Sequence, residues 1–244
     1  MNGAYQDAAA AGAYLDFLAS ENGLIQQETL YRAIKDRLPP GPGAAILDAG
    51  CGPGWLAGRL RQDYPAVQAC DASGFFINLA KNRYPNVNFQ LADLAGALPY
   101  GPASFDFIIL NMVGPDLADL DQTMSGLKPL LRPAGRLLLT LPNPDLAYPA
   151  GEWKRSWLDV LLRRKPKLKL KKTAPAAAVQ REFGGGRTIS SRHYPLADYL
   201  AAAAKGGLHL AAKAELTSAA DSPRFNLTYQ LHRYPLLLLL EFAA

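Results

Sequence analysis

Several residue types and patterns are scarce in this chain of 244 residues, and each scarcity excludes a class of protein. The two cysteines, Cys51 and Cys70, are too few for a disulfide scaffold, so we expect a protein of the reducing cytoplasm. The longest unbroken aliphatic run, Leu236 to Leu240, is far shorter than the ~20 residues of a membrane-spanning helix, so we expect no membrane partner. No apolar segment led by arginine opens the chain, which argues against a secretory signal peptide.

Histidine is scarce as well, with three in the chain. No group of ligand-type side chains has metal-binding spacing, so we expect neither a metal nor a divalent-ion-dependent mechanism. His209 and His232 lie in predicted strands, where we expect structural roles. His193 lies where a long irregular segment meets a predicted helix, and it is a candidate for proton transfer.

The positive charge of the chain is concentrated in one short segment. The formal net charge is +5, and residues 163–172 hold seven Lys or Arg and no acid. Without those seven cations the net charge is 5 − 7 = −2, so the rest of the chain is mildly acidic. The alternation of Lys167, Lys169 and Lys171 with leucines predicts a strand with one charged face.

Two interpretations of this basic segment stay open. Lysines protect exposed strand edges, so a solvated edge strand explains them without any ligand. Alternatively, the segment docks an anionic partner, which is a carrier protein, an acidic substrate or nucleic acid. Nucleic acid is the least favoured of these, because the segment lacks interleaved aromatic residues and the chain shows no RNA-binding module.

The most informative stretch runs from Ile46 to Gly54 and reads Ile-Leu-Asp-Ala-Gly-Cys-Gly-Pro-Gly. An apolar run that ends in an acid and three spaced glycines predicts a buried parallel strand, a tight turn and then a helix. Gly50 and Gly52 allow a sharp turn and a close approach of a ligand, while Gly54 permits tight helix–strand packing. A plain glycine-rich turn is the simpler alternative.

Trp55 and Asp71 narrow the class of nucleotide. A dinucleotide fingerprint counted from Gly50 requires a glycine at position 55, where this chain has tryptophan, so NAD and FAD are disfavoured. No Gly-Lys-Ser/Thr follows, which excludes a phosphate-binding P-loop. Asp71 ends a second short strand, at the distance from the turn where a carboxylate binds a ribose diol. A helix N-terminal acid stabilised by the helix dipole is the alternative for Asp71.

Together with three later segments, these motifs resemble the class I S-adenosylmethionine (SAM)-dependent methyltransferases. The later segments are Val87–Leu94, Phe105–Met112 and Leu127–Thr140, and all five motifs follow in the family's order. The resemblance implies SAM as the cofactor. It places the cofactor contacts at Tyr14, Asp48, Gly50, Cys51, Gly52, Asp71, Ala72, Ser73, Asp93, Leu94, Asn111 and Met112.

Three of these contacts carry specific expectations. By resemblance, Asp93 hydrogen-bonds the adenine amino group; a loop acid that caps a turn is the alternative. Asn111 lies at the carboxyl end of a predicted strand, where open α/β sheets bind ligands. Tyr14 stands where many relatives carry a tyrosine that contacts the cofactor, and an ordinary packing aromatic is the alternative.

The order of elements predicts a single α/β domain with a Rossmann-like, mostly parallel sheet of seven strands. Helices cover both faces, and the last strand is antiparallel. Residues 1–40 are expected to form an N-terminal helical cap, and residues 44–141 the cofactor-binding core. Residues 142–192 break the strand–helix rhythm and predict a lid inserted after strand five. Residues 193–244 supply a C-terminal helix and strands.

Local patterns place individual elements within this plan. Apolar residues at helical spacing predict helices at 7–19 and 24–38. A short helix is expected around residues 152–162 of the lid. The last two strands are predicted at 208–216 and 229–242.

The resemblance implies transfer of a methyl group from SAM to an oxygen, nitrogen or carbon of a small molecule. An acceptor that must lose its proton early needs a general base, for which His193 and Tyr194 are the candidate catalytic residues. Asn111 is not followed by Pro-Pro-Tyr, which argues against methylation of a nucleic-acid base. We therefore expect a small-molecule substrate, anionic or carrier-bound, and a monomer or homodimer.

Two other functions stay open. The same fold can use SAM for cyclisation or for transfer of its aminocarboxypropyl chain, which releases methylthioadenosine. A non-catalytic SAM-binding module is the second alternative. The intact glycine turn and Asp71 argue against the latter.

Overall fold

The structure is a computed structural model that describes residues 8–146, 151–154, 156–162, 164–170, 175–182, 188–219 and 227–244. The strands are β1 (Ile46–Ala49), β2 (Val67–Asp71), β3 (Asn88–Leu91), β4 (Phe105–Asn111), β5 (Leu131–Pro142), β6 (Gly151–Lys154), β7 (Lys167–Leu170), β8 (Ala177–Glu182), β9 (Thr188–His193), β10 (His209–Leu216) and β11 (Leu237–Ala243). The α-helices are α1 (Ala8–Ala19), α2 (Glu21–Lys35), α3 (Trp55–Leu60), α4 (Gly74–Arg83), α5 (Leu120–Leu127), α6 (Trp157–Leu161), α7 (Leu196–Lys205) and α8 (Leu227–Arg233).

Seven strands form one central sheet in the order β10-β11-β5-β4-β1-β2-β3. Strands β1 to β5 run parallel, and β11 is antiparallel to both of its neighbours. The chain builds outward from β1 to β3 and then returns to place β4 on the other side of β1. That reversal opens a crevice at the carboxyl ends of β1 and β4, where open α/β sheets bind ligands. The predicted fold class is confirmed, including the antiparallel last strand.

Both faces of the sheet are buried, because the central strands are apolar in both directions. On one face, Leu137 and Leu139 join Leu47 in a cluster with the buried sides of α5 and α7. On the other face, Leu138 and Ile46 pack with the buried sides of α2, α3 and α4. Successive leucines of β5 point to opposite faces of the sheet, so this one strand contributes side chains to both cores.

The two N-terminal helices agree with the prediction except at the ends of the second. Ser20 caps α2, since its Oγ accepts a hydrogen bond of 3.1 Å from the Gly23 N–H. The helix therefore begins at Glu21 rather than 24, and it ends at Lys35, ahead of the predicted end at 38. No helix in the described parts of the chain is long and apolar enough to cross a membrane.

The strand predicted at 229–242 was wrong over its first half, because α8 occupies residues 227–233 and β11 begins at Leu237. Leu231 is buried against Leu30 of α2, so this segment packs as a helix on the N-terminal pair. His232 consequently lies in a helix, with Nδ1 at 2.9 Å from the Ser218 carbonyl oxygen. His209 begins β10, as predicted.

The insertion after β5 contains two antiparallel hairpins, β6–β7 and β8–β9, in addition to the short helix. The helix expected around 152–162 is α6, and β6 takes up the first part of that range. Lys167 and Lys169 are exposed on β7, while Leu168 between them packs on the core. The predicted strand with a charged face is therefore confirmed at these two lysines, and Lys171 lies outside the described residues.

Candidate active site

A cavity of about 1110 Å³ lies at the carboxyl ends of β1, β2 and β4. Helices α1 and α2 line one side of it and the β8–β9 hairpin lines another. Residues 50–52 of the glycine turn and residues 111–113 at the end of β4 line it as well. Parallel strands bring their carboxyl ends to one edge of the sheet, so the cavity is where this topology predicts a ligand site.

The glycine turn is held against β2 and leaves room above it. The backbone N–H groups of Gly50 and Cys51 both donate to the Cys70 carbonyl oxygen, at 2.8 and 2.9 Å. Gly50 has φ +76°, and a Cβ there would lie 2.6 Å from a methyl group of Val113. Gly52 has φ +53°, and the nearest atom to a Cβ there is Tyr14 Cε1, at 3.8 Å. A side chain at 52 would therefore occupy the cavity itself.

Asp71 ends β2 beside this turn with both carboxylate oxygens oriented by backbone donors. Oδ2 accepts a 2.8 Å hydrogen bond from the Gly52 N–H, and Oδ1 accepts one of 2.8 Å from the Ser73 N–H. Burial raises the pKa of Asp71, these N–H groups oppose the shift, and the Asp116 carboxylate adds to it. Each oxygen keeps a further lone pair, which suits a pair of ligand hydroxyl groups.

Asp48 is a buried carboxylate with one unsatisfied oxygen. Its Oδ2 accepts a 3.1 Å hydrogen bond from the Ala57 N–H, whereas Oδ1 has no partner among the described residues. Burial raises the pKa of Asp48 to about 7, and the charge of Asp71 adds to the shift. A buried acceptor without a donor is costly, so a ligand that brings a donor or a cation to Oδ1 is favoured.

The cavity is electronegative. Asp48, Asp71 and Asp116 are buried and all line it. Among the lining residues that the structure describes, Arg192 is the one Lys or Arg side chain, and it is exposed at the hairpin. Like charges within one low-dielectric space repel, so the site favours a cationic ligand.

The end of β4 is fixed by a hydrogen-bond network on β5. Asn111 Oδ1 accepts a 2.8 Å hydrogen bond from the buried Thr140 hydroxyl. The Met112 N–H donates to the Thr140 carbonyl oxygen at 2.9 Å. Met112 has φ +61°, an uncommon conformation for a long side chain, and it faces the cavity there.

Ten of the predicted site residues line the cavity: Tyr14, Asp48, Gly50, Cys51, Gly52, Asp71, Asn111, Met112, His193 and Tyr194. The other four, Ala72, Ser73, Asp93 and Leu94, do not. Ser73 caps α4 and orients Asp71, whereas Leu94 is buried in the core. Asp93 is exposed, and its Oδ1 accepts from the Ala95 N–H at 3.0 Å. The turn-capping alternative for Asp93 therefore fits the geometry.

The two candidate catalytic residues differ in their surroundings. His193 is buried at the end of β9 and lines the cavity. The Tyr194 hydroxyl donates to the Leu117 carbonyl oxygen at 3.0 Å, and burial raises the pKa of Tyr194. A hydroxyl that is tied to the backbone and hard to ionise is a poor proton acceptor. Cys51 is equally poor as a nucleophile, since burial raises the pKa of its thiol well above the ordinary range.

Sequence reasoning missed the residues that close the cavity. Asp116, in the short turn after β4, accepts a 2.8 Å hydrogen bond from the Ser191 hydroxyl of β9. Arg192 and Gln180 reach the cavity from the same hairpin, and Trp55 lines it from the start of α3. The position of Asp116 just past the end of β4 was the available signal, because functional side chains cluster after strand ends.

Comparison with known proteins decides the family. A family model described as a methyltransferase domain matches residues 46–135, from β1 into β5. An uncharacterized methyltransferase of Mycobacterium tuberculosis is 32% identical over 150 residues, which cover 59% of this chain and 74% of that protein. The chain belongs to the class I SAM-dependent methyltransferase family. The predicted family is thereby confirmed, and so is SAM as the cofactor of this methyltransferase.

Two further relatives are informative. The solved structure of a SAM-dependent methyltransferase from Mesorhizobium loti superimposes with a TM-score of 0.72 at 20% identity, over 90% of this chain and 100% of that one, and so shares the fold. A malonyl-[acyl-carrier protein] O-methyltransferase of Halalkalibacterium halodurans is 32% identical over 111 residues. That match covers 43% of this chain and 41% of the relative, so the chain spans less than half of that relative's length.

The cavity of this methyltransferase fits SAM on three independent observations. Oδ1 of Asp48 lacks a donor that a ligand can supply. The space above Gly52 is open, and a Cβ would fill it. The carboxylates of Asp48, Asp71 and Asp116 match the positive charge of a sulfonium. Asp71 is the residue suited to hold the ribose hydroxyl groups.

Proposed function

We propose that this protein transfers a methyl group from SAM to a small-molecule acceptor bound in the same cavity. The single observation that carries the proposal is the unsatisfied Asp48 Oδ1 beside the glycine turn and Asp71, in an electronegative cavity. We propose contacts to SAM at the predicted residues that line this cavity. Bound SAM supplies a methyl group that its positive sulfur has already activated.

The chain's own contribution is alignment and exclusion of water. Helices α1 and α2 and the β8–β9 hairpin cover the crevice from two sides, which supports the proposed cap and lid. Holding an acceptor in line with the methyl carbon contributes roughly 7–11 kcal/mol to catalysis. The rigid end of β4, which Thr140 fixes through Asn111, gives one wall of that space a defined position.

His193 is the proposed general base for an acceptor that must lose a proton. It is buried on the lid side of the cavity, so an acceptor between the lid and the turn lies within its reach. Tyr194 is instead proposed as a positioning residue. Its hydrogen bond to Leu117 fastens the residue next to His193 to the segment after β4.

A carboxylic acid is the proposed acceptor class, either free or attached to a carrier through a thioester at its other end. Its carboxylate is already ionised and needs no base, whereas a hydroxyl or carbon acceptor on the same molecule would need His193. Arg192, at the hairpin side of the cavity, offers a counter-charge for a carboxylate. The names of relatives such as the malonyl-[acyl-carrier protein] O-methyltransferase support this choice. We further propose a cytoplasmic monomer or homodimer, in keeping with two cysteines that are free thiols.

Product analysis tests the reaction. The purified protein is incubated with SAM and a panel of small carboxylic acids, free and as carrier-protein thioesters, and the products are identified by mass spectrometry. Acceptor-dependent release of S-adenosylhomocysteine supports methyl transfer. Methylthioadenosine as the product would contradict it and favour aminocarboxypropyl transfer, and tight SAM binding without turnover on any acceptor would favour a binding module.

A further inference from the structure

The helix α6 in the insertion carries an unusual group of exposed apolar side chains. Nine large apolar residues are exposed in the described chain, and five of them fall within residues 157–162. Trp157 is 76% exposed and Leu161 is 69% exposed, and α6 has no buried residue. An isolated apolar side chain at the surface is ordinary, but a contiguous group of this kind marks an interaction site.

The helix presents its apolar side chains on one broad face. At 100° per residue, Trp157, Leu158, Val160 and Leu161 fall within an arc of about 160°, and Leu162 follows directly after the helix. The polar residue of this helix, Asp159, forms a capping box with the N-cap residue Ser156. Ser156 Oγ donates to Asp159 Oδ2 at 2.6 Å, and the Asp159 N–H donates to Ser156 Oγ at 3.1 Å.

Exposed cations follow this helix directly. The Arg164 N–H donates to the Asp159 carbonyl oxygen at 2.7 Å, so the basic segment begins where α6 ends. Lys167 and Lys169 point away from the body, because Leu168 between them packs on the cluster that contains Leu30. The β6–β7 hairpin is thus anchored by its apolar face and displays its charged face beside the apolar helix.

We propose that α6, together with Arg164, Lys167 and Lys169, docks this methyltransferase on the surface of an anionic lipid bilayer. Apolar side chains that enter the bilayer and lysines that bind anionic headgroups are the two signals that stable peripheral binding requires. Trp157 suits the bilayer interface, where tryptophan is enriched. The expectation of no membrane partner rested on the length of a spanning helix, which surface binding does not need.

Two other occupants fit these features less well. A protein partner would have to supply both an apolar groove for α6 and acidic side chains for the cations that follow it, whereas an anionic bilayer offers acyl chains and anionic headgroups together over its whole surface. A second copy of this chain would bring Lys167 and Lys169 of each protomer close to the same cations of the other. Such like-charge contacts oppose self-association and favour an anionic surface.

Vesicle co-sedimentation of the full-length protein tests the proposal. The probes are vesicles of phosphatidylcholine alone and of phosphatidylcholine mixed with phosphatidylglycerol, at low and high salt. We expect binding to the anionic vesicles that weakens at high salt. Trp157→Ser/Leu161→Ser and Lys167→Glu/Lys169→Glu should each lower the partition coefficient by about tenfold or more. These side chains are exposed, so folding should be unaffected, and circular dichroism checks this.

Matched controls lie elsewhere on the surface. Leu91→Ser/Leu210→Ser removes two exposed leucines from the sheet edges, and Lys81→Glu reverses an exposed charge on α4. Both should bind vesicles as the wild type does. Equal binding to neutral vesicles, or no effect of the α6 variants, would overturn the proposal. Absence of binding to any vesicle would also overturn it. In that case, a dimer that Trp157→Ser dissociates would indicate that α6 binds a second copy of this chain. Binding of an acidic carrier protein that Lys167→Glu/Lys169→Glu abolishes would instead indicate a protein partner.

Discussion

The Ser191 hydroxyl donates a hydrogen bond of 2.8 Å to the Asp116 carboxylate, and both residues are buried. The pair joins β9 of the inserted hairpin to the turn that follows β4, so it connects the proposed lid to the edge of the sheet where the cavity lies. Tyr194, the residue directly after the end of β9, makes a second connection, to the Leu117 carbonyl oxygen. The proposed lid is therefore fastened beside the cavity in which we expect acceptor and cofactor to meet.

Ser191→Ala tests this fastening. We expect the variant to raise the KM for the acceptor severalfold while the Kd for SAM stays within about twofold, because the change loosens the lid and leaves the glycine turn intact. Loss of one buried hydrogen bond should lower the free energy of unfolding by about 1–2 kcal/mol. Ser190→Ala, at the exposed neighbour on the same strand, is the control. An equal rise in KM for both variants would show that Ser191 has no particular role.

Gly52→Ala tests the space above the turn. The added Cβ would enter the cavity at a φ of +53°, so we expect SAM affinity to fall at least about tenfold and the fold to lose ~1–2 kcal/mol. Gly74→Ala is a matched control, since a Cβ there meets nothing within 4 Å and lies at the start of α4. Calorimetric titration of both variants with SAM, combined with thermal unfolding, provides the comparison.

Asp48 should make SAM binding depend on pH. Its pKa of about 7 means that the carboxyl is mainly protonated below neutral pH, and the protonated form cannot offer a negative oxygen to a cationic ligand. We expect SAM affinity to rise between pH 5.5 and 7.5, by up to about tenfold per pH unit below the pKa. Calorimetry across this range should show the rise in wild type and a flat profile in Asp48→Asn.

The same carboxyl should affect the stability of the ligand-free protein with the opposite sign. The folded-state pKa of Asp48 lies above its ordinary value of 3.8, so between about pH 4 and 7 the folded protein binds more protons at this group than the unfolded chain does. The free energy of unfolding should therefore fall as pH rises through this window. Asp48→Asn should stabilise the ligand-free protein more at pH 8 than at pH 5; the reverse order would contradict a buried, protonatable Asp48.

His193→Gln tests the proposed base. For an acceptor that must lose a proton, we expect kcat to fall roughly 10²–10⁴-fold with the Kd for SAM unchanged, because a general base acts only on the chemical step. His209→Gln, at the exposed start of β10, is the control and should retain full activity. If kcat is unchanged in His193→Gln while the KM for the acceptor rises, His193 binds the acceptor instead of accepting its proton.

The sheet and the cofactor half of the site could be predicted because they depend on short-range signals. The glycine turn, Asp48 and Asp71 lie on neighbouring parallel strands, whose carboxyl ends must meet at one edge. Asp93 was expected at the same edge by resemblance, and the structure places it exposed in a turn outside the cavity. A loop acid has no periodic pattern to fix its direction, so its orientation did not follow from sequence.

The part of the site where we expect the acceptor to bind, and the C-terminal segment, could not be predicted as well from the sequence. Ser191 and Asp116 are separated by 75 residues, and nothing in either local sequence indicates the other. The segment 227–233 is apolar at intervals that fit a strand as well as a helix, and its burial against Leu30 decides for the helix. The exposure of α6 depends on where its hairpin is anchored, which only the tertiary structure specifies.

Calorimetric titration of the protein with SAM, in wild type and in Asp71→Asn, tests the cofactor site most directly. We expect one site with micromolar affinity in wild type and a loss of about a hundredfold in Asp71→Asn, since the variant loses its charged acceptors for the ribose hydroxyl groups. Asp36→Asn, at an exposed acid after α2, should bind as wild type does. No measurable SAM binding by wild type, or equal binding by a folded Asp71→Asn, would contradict a SAM site at this turn.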